Sequence, residues 1–418
     1  MKQGRNIILV CILLLSMLFP FNDSAIAATG RQNNYPIVLV HGFLGWGRDE
    51  VFGFKYWGGF FDVQEDLRGL GYTTYTAAVG PVSSNWDRAC ELYAQIKGGK
   101  VDYGKAHAAR HGHARFGRTY AGFYTQWGTT DVNTGGIRKV HLVGHSMGGQ
   151  TIRVLVQLLE NGAQQEIAAT SANELSPLFN GIKKSWVASA TSISSPHNGT
   201  TLTKGVNGLF PHIQEMVALI AGATGAGQQT IYDFKLDQWG LKRLPGEPLN
   251  DYARRVLDSN LLNSTTDISA RDLDPDGAKE LNAWVRAQSD VYYFSVATEA
   301  TFEEIFTRHE VPEITMDPLL TISAFFMGAY TRNEPGQVVI DRSWWKNDGV
   351  VNTISMVGPT VGSTDRIISY NGVPQLGKWN YLGLVDSYDH IDIVGINTLR
   401  NIKDIYRNLA VFLGQLPK

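Results

Sequence analysis

A chain of 418 residues, 43% hydrophobic and 18% charged, is long enough for one large domain or two ordinary ones and has the composition of a globular protein. Its formal net charge is −2 and its Lys and Arg are spread along the chain, so no basic field marks a nucleic-acid partner. Function must therefore be read from local patterns.

Lys2 and Arg5 precede the apolar run IILVCILLLSMLF, and Ala25-Ile26-Ala27 supplies the small residues a signal peptidase needs, so residues 1–27 read as a cleaved signal peptide. The run is shorter than the ~20 residues of a membrane span, which argues against a transmembrane anchor and for a secreted, extracellular protein. Cys11 would leave with the signal and Cys90 would stay alone. No intrachain disulfide is then expected, and stability must come from packing or bound metal.

Pro36 to Val40 is a continuous apolar, β-branched run of the kind found in a strand buried on both faces, which implies a parallel sheet. Lys139 to Gly144 is a second such run, followed by Ile152, Val156 and Leu159 near helical spacing and a stop at Asn161-Gly162. Runs 185–194 and 291–298 read as later strands. The alternation predicts an α/β fold, a mostly parallel central sheet flanked by helices, in a single domain over 28–418. Two stretches break the pattern and read as insertions: one at about 86–125, rich in aromatics and histidines, and one at about 205–230.

In the second stretch Leu209, Ile213, Met216 and Ile220 share a helical face, Val217 and Leu219 widen it, and only His212, Gln214 and Glu215 are polar. Glycines at 205, 208, 222, 225 and 227 bracket it as hinges would. Core helix and mobile lid fit this pattern equally.

Gly144-His145-Ser146-Met147-Gly148 fits G-x-S-x-G, and its setting between strand and helix is what presents a serine nucleophile clear of a sheet. On such a fold the acid and then the base follow in chain order. The acid lies at Asp341 or Asp348; Asp348, followed by glycine and a small turn, is preferred, and only His390 follows it. The tetrahedral intermediate needs two backbone N–H donors, assigned to Met147 and, in HGF after the first strand, to Phe43. His107, His111 and His113, with Asp87 and Asp102 nearby, form a candidate metal cluster whose spacing does not choose among the histidines.

Read together and in order, PIVLVHGFLGWG, FGFKYWGG, VGPVSSNWDRACELYAQ, VDYGKAHAARHGHARFGRTY, GHSMGGQT, SPHNGTTL, YDFKLDQWGL, NDGVVNTISM and DHIDIVG resemble the large secreted lipases of bacilli and staphylococci. The resemblance implies an α/β-hydrolase core, a helical lid and a triacylglycerol lipase acting at an oil–water interface through Ser146, Asp348 and His390. It also implies a structural zinc ion on Asp87, His107, His113 and Asp267, and a structural calcium ion near Thr315, Asp392, Asn397 and Thr398. Bacillus-type members have Asp-Pro where this chain has Asn397-Thr398, which removes one negative charge that Asp389 could replace. The alternatives are a carboxylesterase or phospholipase with the same machinery and, from another class, a secreted binding module on a hydrolase scaffold, which a degenerate triad would have favoured. A monomer, with at most weak self-association, is expected.

Overall fold

The computed structural model describes residues 30–205, 232–398 and 400–418. The expected signal segment and almost all of the expected lid lie outside the described residues. Eleven strands are described: β1 (Ile37–Val40), β2 (Thr74–Ala77), β3 (Gly99–Asp102), β4 (Phe116–Tyr120), β5 (Val140–His145), β6 (Val187–Ile193), β7 (Tyr292–Glu299), β8 (Thr301–Glu303), β9 (Glu310–Pro312), β10 (Ile367–Ser369) and β11 (Trp379–Asp386). Seven of them form one sheet in the order β10-β11-β7-β6-β5-β1-β2, with every pairing parallel. The four runs read as strands are β1, β5, β6 and β7, the middle of this sheet.

Side chains alternate between two cores, as the two-residue period of a strand requires. Ile37, Leu39, Val143, Ile193, Phe294 and Val296 face one core, closed by the helices Leu249–Asp258 and Lys403–Gly414. Val38, Val40, Val140, Leu142, Ala190 and Tyr293 face the other. With both faces covered, every residue of β1, β5 and β6 is buried, and β1 appears as an unbroken apolar run.

Helix α1 (Val63–Gly69) lies on the first core, and α2 (Asn85–Lys97) and α4 (Met147–Asn161) on the second. The Ser84 hydroxyl caps α2 by accepting the Asp87 N–H at 3.2 Å, and Gly98, at φ 87°, ends it. Ala89, Leu92 and Ile96 are buried against the sheet and α4, so α2 belongs to the core rather than to the insertion expected from residue 86. The excursion itself is shorter: β3, helix α3 (Lys105–His111) and β4, which pairs back on β3. Among the described residues no helix is long and apolar enough to cross a membrane.

Candidate active site and metal centre

Phe43, Ser146 with Met147, and His390 follow the carboxyl ends of β1, β5 and β11, and Asp348 meets Thr298 near that of β7, where an open parallel sheet forms its crevice. Ser146 stands between β5 and α4 at φ 56°, ψ −132°, a conformation few side-chain-bearing residues adopt. The flanking glycines permit it by close approach. A Cβ on Gly144 would lie 2.4 Å from the Gly148 carbonyl carbon, one on Gly148 2.2 Å from the Val40 oxygen, and one on Gly149 2.0 Å from Ser195 Oγ.

Ser146 Oγ lies 2.9 Å from His390 Nε2, and His390 Nδ1 lies 2.7 Å from Asp348 Oδ2. All three residues are buried. Asp348 is fully satisfied: Thr298 Oγ1 donates to Oδ2 at 2.7 Å, and the N–H groups of Val350 and Val351 donate to Oδ1 at 3.1 and 2.8 Å. Because that carboxylate only accepts, it fixes the proton of His390 on Nδ1 and leaves the Nε2 lone pair for the serine proton. The other candidate acid, Asp341, caps a short turn by accepting the Ser343 N–H at 2.9 Å.

Phe43, after β1, and Met147, at the first position of α4, have amide N–H groups that no backbone or side-chain acceptor takes among the described residues. Met147 is buried with Leu202, Leu273 and Met327, and Phe43, Phe326 and Val350 pack on them, an apolar wall beside the serine. Beneath the Phe43 loop is Arg88, a fully buried cation that sequence reasoning did not single out. It donates to the His41 carbonyl at 2.5 Å, to that of Gly80 at 2.8 Å and to Thr151 Oγ1 at 2.8 Å. Burial lowers its pKa to about 10, so it stays charged at neutral pH.

Asp87, His107, His113 and Asp267 come together with their ligand atoms within 4.8 Å of one another. His107 Nε2 is 3.0 Å from Asp267 Oδ2 and 3.4 Å from Asp87 Oδ1; His113 Nε2 is 3.1 Å from Asp267 Oδ2. Asp87 Oδ1 and His113 Nε2 are buried without a hydrogen-bond partner. Gln238 donates to the other Asp87 oxygen at 2.8 Å, and His113 Nδ1 donates to the Ala114 carbonyl at 2.9 Å, which turns the His113 Nε2 lone pair toward the cluster. Burial and the nearby Asp267 push the Asp87 carboxyl up; burial opposes protonation of His107, yet Asp267 and Asp87 hold it at about 9. The cluster calls for positive charge, and two nitrogens with two oxygens converging on one point fit a tetrahedral cation. Of the other residues considered for it, Asp102 is engaged by Arg115 and His111 packs on His107 outside the four.

Several side chains among the residues expected to hold calcium are engaged with other protein groups. Asp392 Oδ2 accepts Arg400 Nε at 3.0 Å, Thr398 Oγ1 accepts the Arg400 N–H at 3.0 Å, and Asn397 Nδ2 donates to Asp317 at 3.3 Å. Thr315 is exposed and its hydroxyl bonds Glu313. Asp389, the possible substitute, accepts three backbone N–H groups, those of Asp317, Ile391 and Asp392. One Asp392 oxygen and both Asp389 oxygens thus already accept N–H donors, and the cation on Asp392 is a guanidinium.

A serine on a strand-to-helix elbow, hydrogen-bonded to a histidine held by an aspartate that follows a later strand, on a parallel sheet, is the arrangement of the α/β-hydrolases. Residues 33–416 match the family described as "Lipase-like, C-terminal domain", and the chain belongs to it. It is 37% identical over 410 residues to Lipase 1 of Staphylococcus aureus (strain MRSA252), covering 94% of this chain but 56% of that protein, so it spans little more than half the length of such relatives. Among solved structures it is similar to EstA from Clostridium botulinum, 51% identical with a TM-score of 0.86, covering 93% of this chain and 88% of that one. It is also similar to lipase 1 from Pelosinus fermentans, 55% identical with a TM-score of 0.84, covering 92% of this chain and 100% of that one.

Proposed function

We propose that the protein is a secreted triacylglycerol lipase in which Ser146, His390 and Asp348 carry out acyl transfer. The observation that carries this reading is the hydrogen-bonded path from Ser146 Oγ through His390 to Asp348, with two undonated amides beside the serine. His390 Nε2 takes the hydroxyl proton as Oγ attacks the ester carbonyl, and the N–H groups of Phe43 and Met147 receive the oxyanion. Collapse of the intermediate expels the glyceride alkoxide, which takes the proton back from His390. Water, deprotonated by the same imidazole, then attacks the acyl-serine and releases the fatty acid. Asp348 holds the imidazole in the required tautomer and stabilises the imidazolium.

The wall of Leu202, Leu273, Met327, Phe43 and Phe326 supports an apolar acyl chain as the group held during this reaction. On its sequence, the stretch Leu209–Ile220 is the candidate cover that opens at an oil surface. Asp87, His107, His113 and Asp267 would hold a zinc ion closed by four protein ligands, a structural role.

Ser146→Ala tests the reading with tributyrin and long-chain triglyceride emulsions. Activity should fall by at least about 10³-fold while circular dichroism and melting stay those of the parent. Retained activity would remove Ser146 from the mechanism.

A further inference from the structure

We infer that Tyr56 and His145 are positioning residues that couple the oxyanion loop to the general base through one directed line of hydrogen bonds, an inference that rests on the triad proposed above. Gly42 N lies 2.9 Å from the Tyr56 oxygen, which lies 2.6 Å from His145 Nδ1; His145 Nε2 lies 3.0 Å from the His390 carbonyl oxygen. Tyr56 and His145 are both buried. Gly42 immediately precedes Phe43, and His390 is the base.

The direction of every proton follows from the two ends. A backbone N–H can only donate and a carbonyl oxygen can only accept, so Gly42 donates to Tyr56 and His145 Nε2–H donates to His390. Were His145 also protonated on Nδ1, Tyr56 would receive two N–H donors and its own proton would be left buried with no acceptor. The hydroxyl proton therefore goes to Nδ1, and His145 is neutral. Burial, with His390 beside it, pushes its pKa well below the ordinary value, which agrees. A neutral ring without a free lone pair cannot serve as a second base. What it can do is hold geometry.

It holds three parts at once. His145 ends β5 and precedes Ser146, so its backbone is fixed by the centre of the sheet. Its ring packs on that of His390, with centroids 4.6 Å apart. At the other end the loop has little freedom: a Cβ on Gly42 would lie 2.5 Å from Ser146 Cβ and 3.0 Å from the Tyr56 oxygen. The peptide plane that carries the Phe43 N–H is also gripped at its own carbonyl, where His41 Nδ1 lies 2.8 Å from the Gly42 oxygen. Donor, nucleophile and base are thus set relative to one strand, which is the preorganisation an oxyanion hole depends on. Because these bonds shape the transition-state site and touch no acyl chain, their loss belongs in kcat rather than KM.

The test uses the full chain and a soluble p-nitrophenyl butyrate assay, with the folded fraction of each variant set by circular dichroism. Tyr56→Phe should lower kcat by about 10- to 100-fold with KM changed less than about threefold. His145→Gln can place an amide N–H where Nε2–H stands, whereas His145→Asn reaches only the Nδ1 position. The Gln variant should therefore keep several-fold more kcat than the Asn variant. Ser146→Ala, run alongside, separates the two claims: if it stays active, the triad falls and this inference with it. If it is inactive while folded Tyr56→Phe keeps kcat within about twofold of the parent, the coupling alone is overturned. Should Tyr56→Phe fail to fold, the His145 pair decides, and equal kcat in the two variants overturns the inference.

Discussion

Two buried carboxylates show what the interior asks of a charge. Asp348 has four donors around it, one of them His390. Glu160, near the end of α4, has neither oxygen hydrogen-bonded, and the ammonium of Lys183, itself exposed, is 3.5 Å away. Burial, helped by Asp290, raises its carboxyl from 4.5 to about 7. The folded chain then keeps a proton that the unfolded chain has released, so this stabilisation is complete below about pH 4.5 and is lost as pH rises through about 7. Glu160→Gln never ionises. Urea unfolding should show it more stable than the parent by about 1–2 kcal/mol near pH 8.5, with the gain gone near pH 5. A gain of equal size at both pH values would contradict the assignment.

At the scale of elements, the elbow between β5 and α4 is where local sequence and function coincide. Gly144 and Gly148 are required by backbone neighbours rather than by flexible side chains: the Cβ of an alanine at 148 would meet the Val40 oxygen at 2.2 Å. Gly148→Ala should therefore cost about 3 kcal/mol or more, read as a lower urea midpoint with unchanged slope, since β1 and α4 cannot both stay where they are. The elbow was legible because its chemistry needs a strand, a serine and small residues consecutively, and Asp348 and His390 because they follow in a fixed order. Tyr56, His145 and Arg88 were not legible. Their roles arise from contacts 89, 245 and 47 residues apart, which no periodicity reports. The start of the insertion was misread for another reason: the polar Asn85, Asp87, Arg88 and Glu91 mask the apolar spacing of Ala89, Leu92 and Ile96, yet these polar residues too are buried, each with a partner. Calcium was expected from a family pattern in which this chain changes two residues. Arg400, eight positions beyond Asp392, places a guanidinium on that carboxylate, a contact the pattern does not report.

Across the whole molecule, the cluster of Asp87, His107, His113 and Asp267 fastens parts of the chain that secondary structure leaves separate. Asp87 sits in the first turn of α2, the histidines in the excursion after it, and Asp267 lies 160 residues beyond His107. The neighbour of Asp87 on that turn is Arg88, which donates to the His41 carbonyl beneath the Phe43 loop, so one helix start carries both a candidate metal ligand and a support of that loop. If the cluster holds the proposed zinc ion, stripping it leaves two buried carboxylates facing two imidazoles, an imbalance worth about 3–5 kcal/mol when a buried charge loses its partner. For a domain of this size that corresponds to a fall in Tm of roughly 4–6 °C. Exhaustive chelation should produce it, with zinc restoring the parent Tm. Asp267→Asn should be purified with less metal and melt early without responding to zinc. Unchanged metal content in that variant would show that the fold is fastened elsewhere.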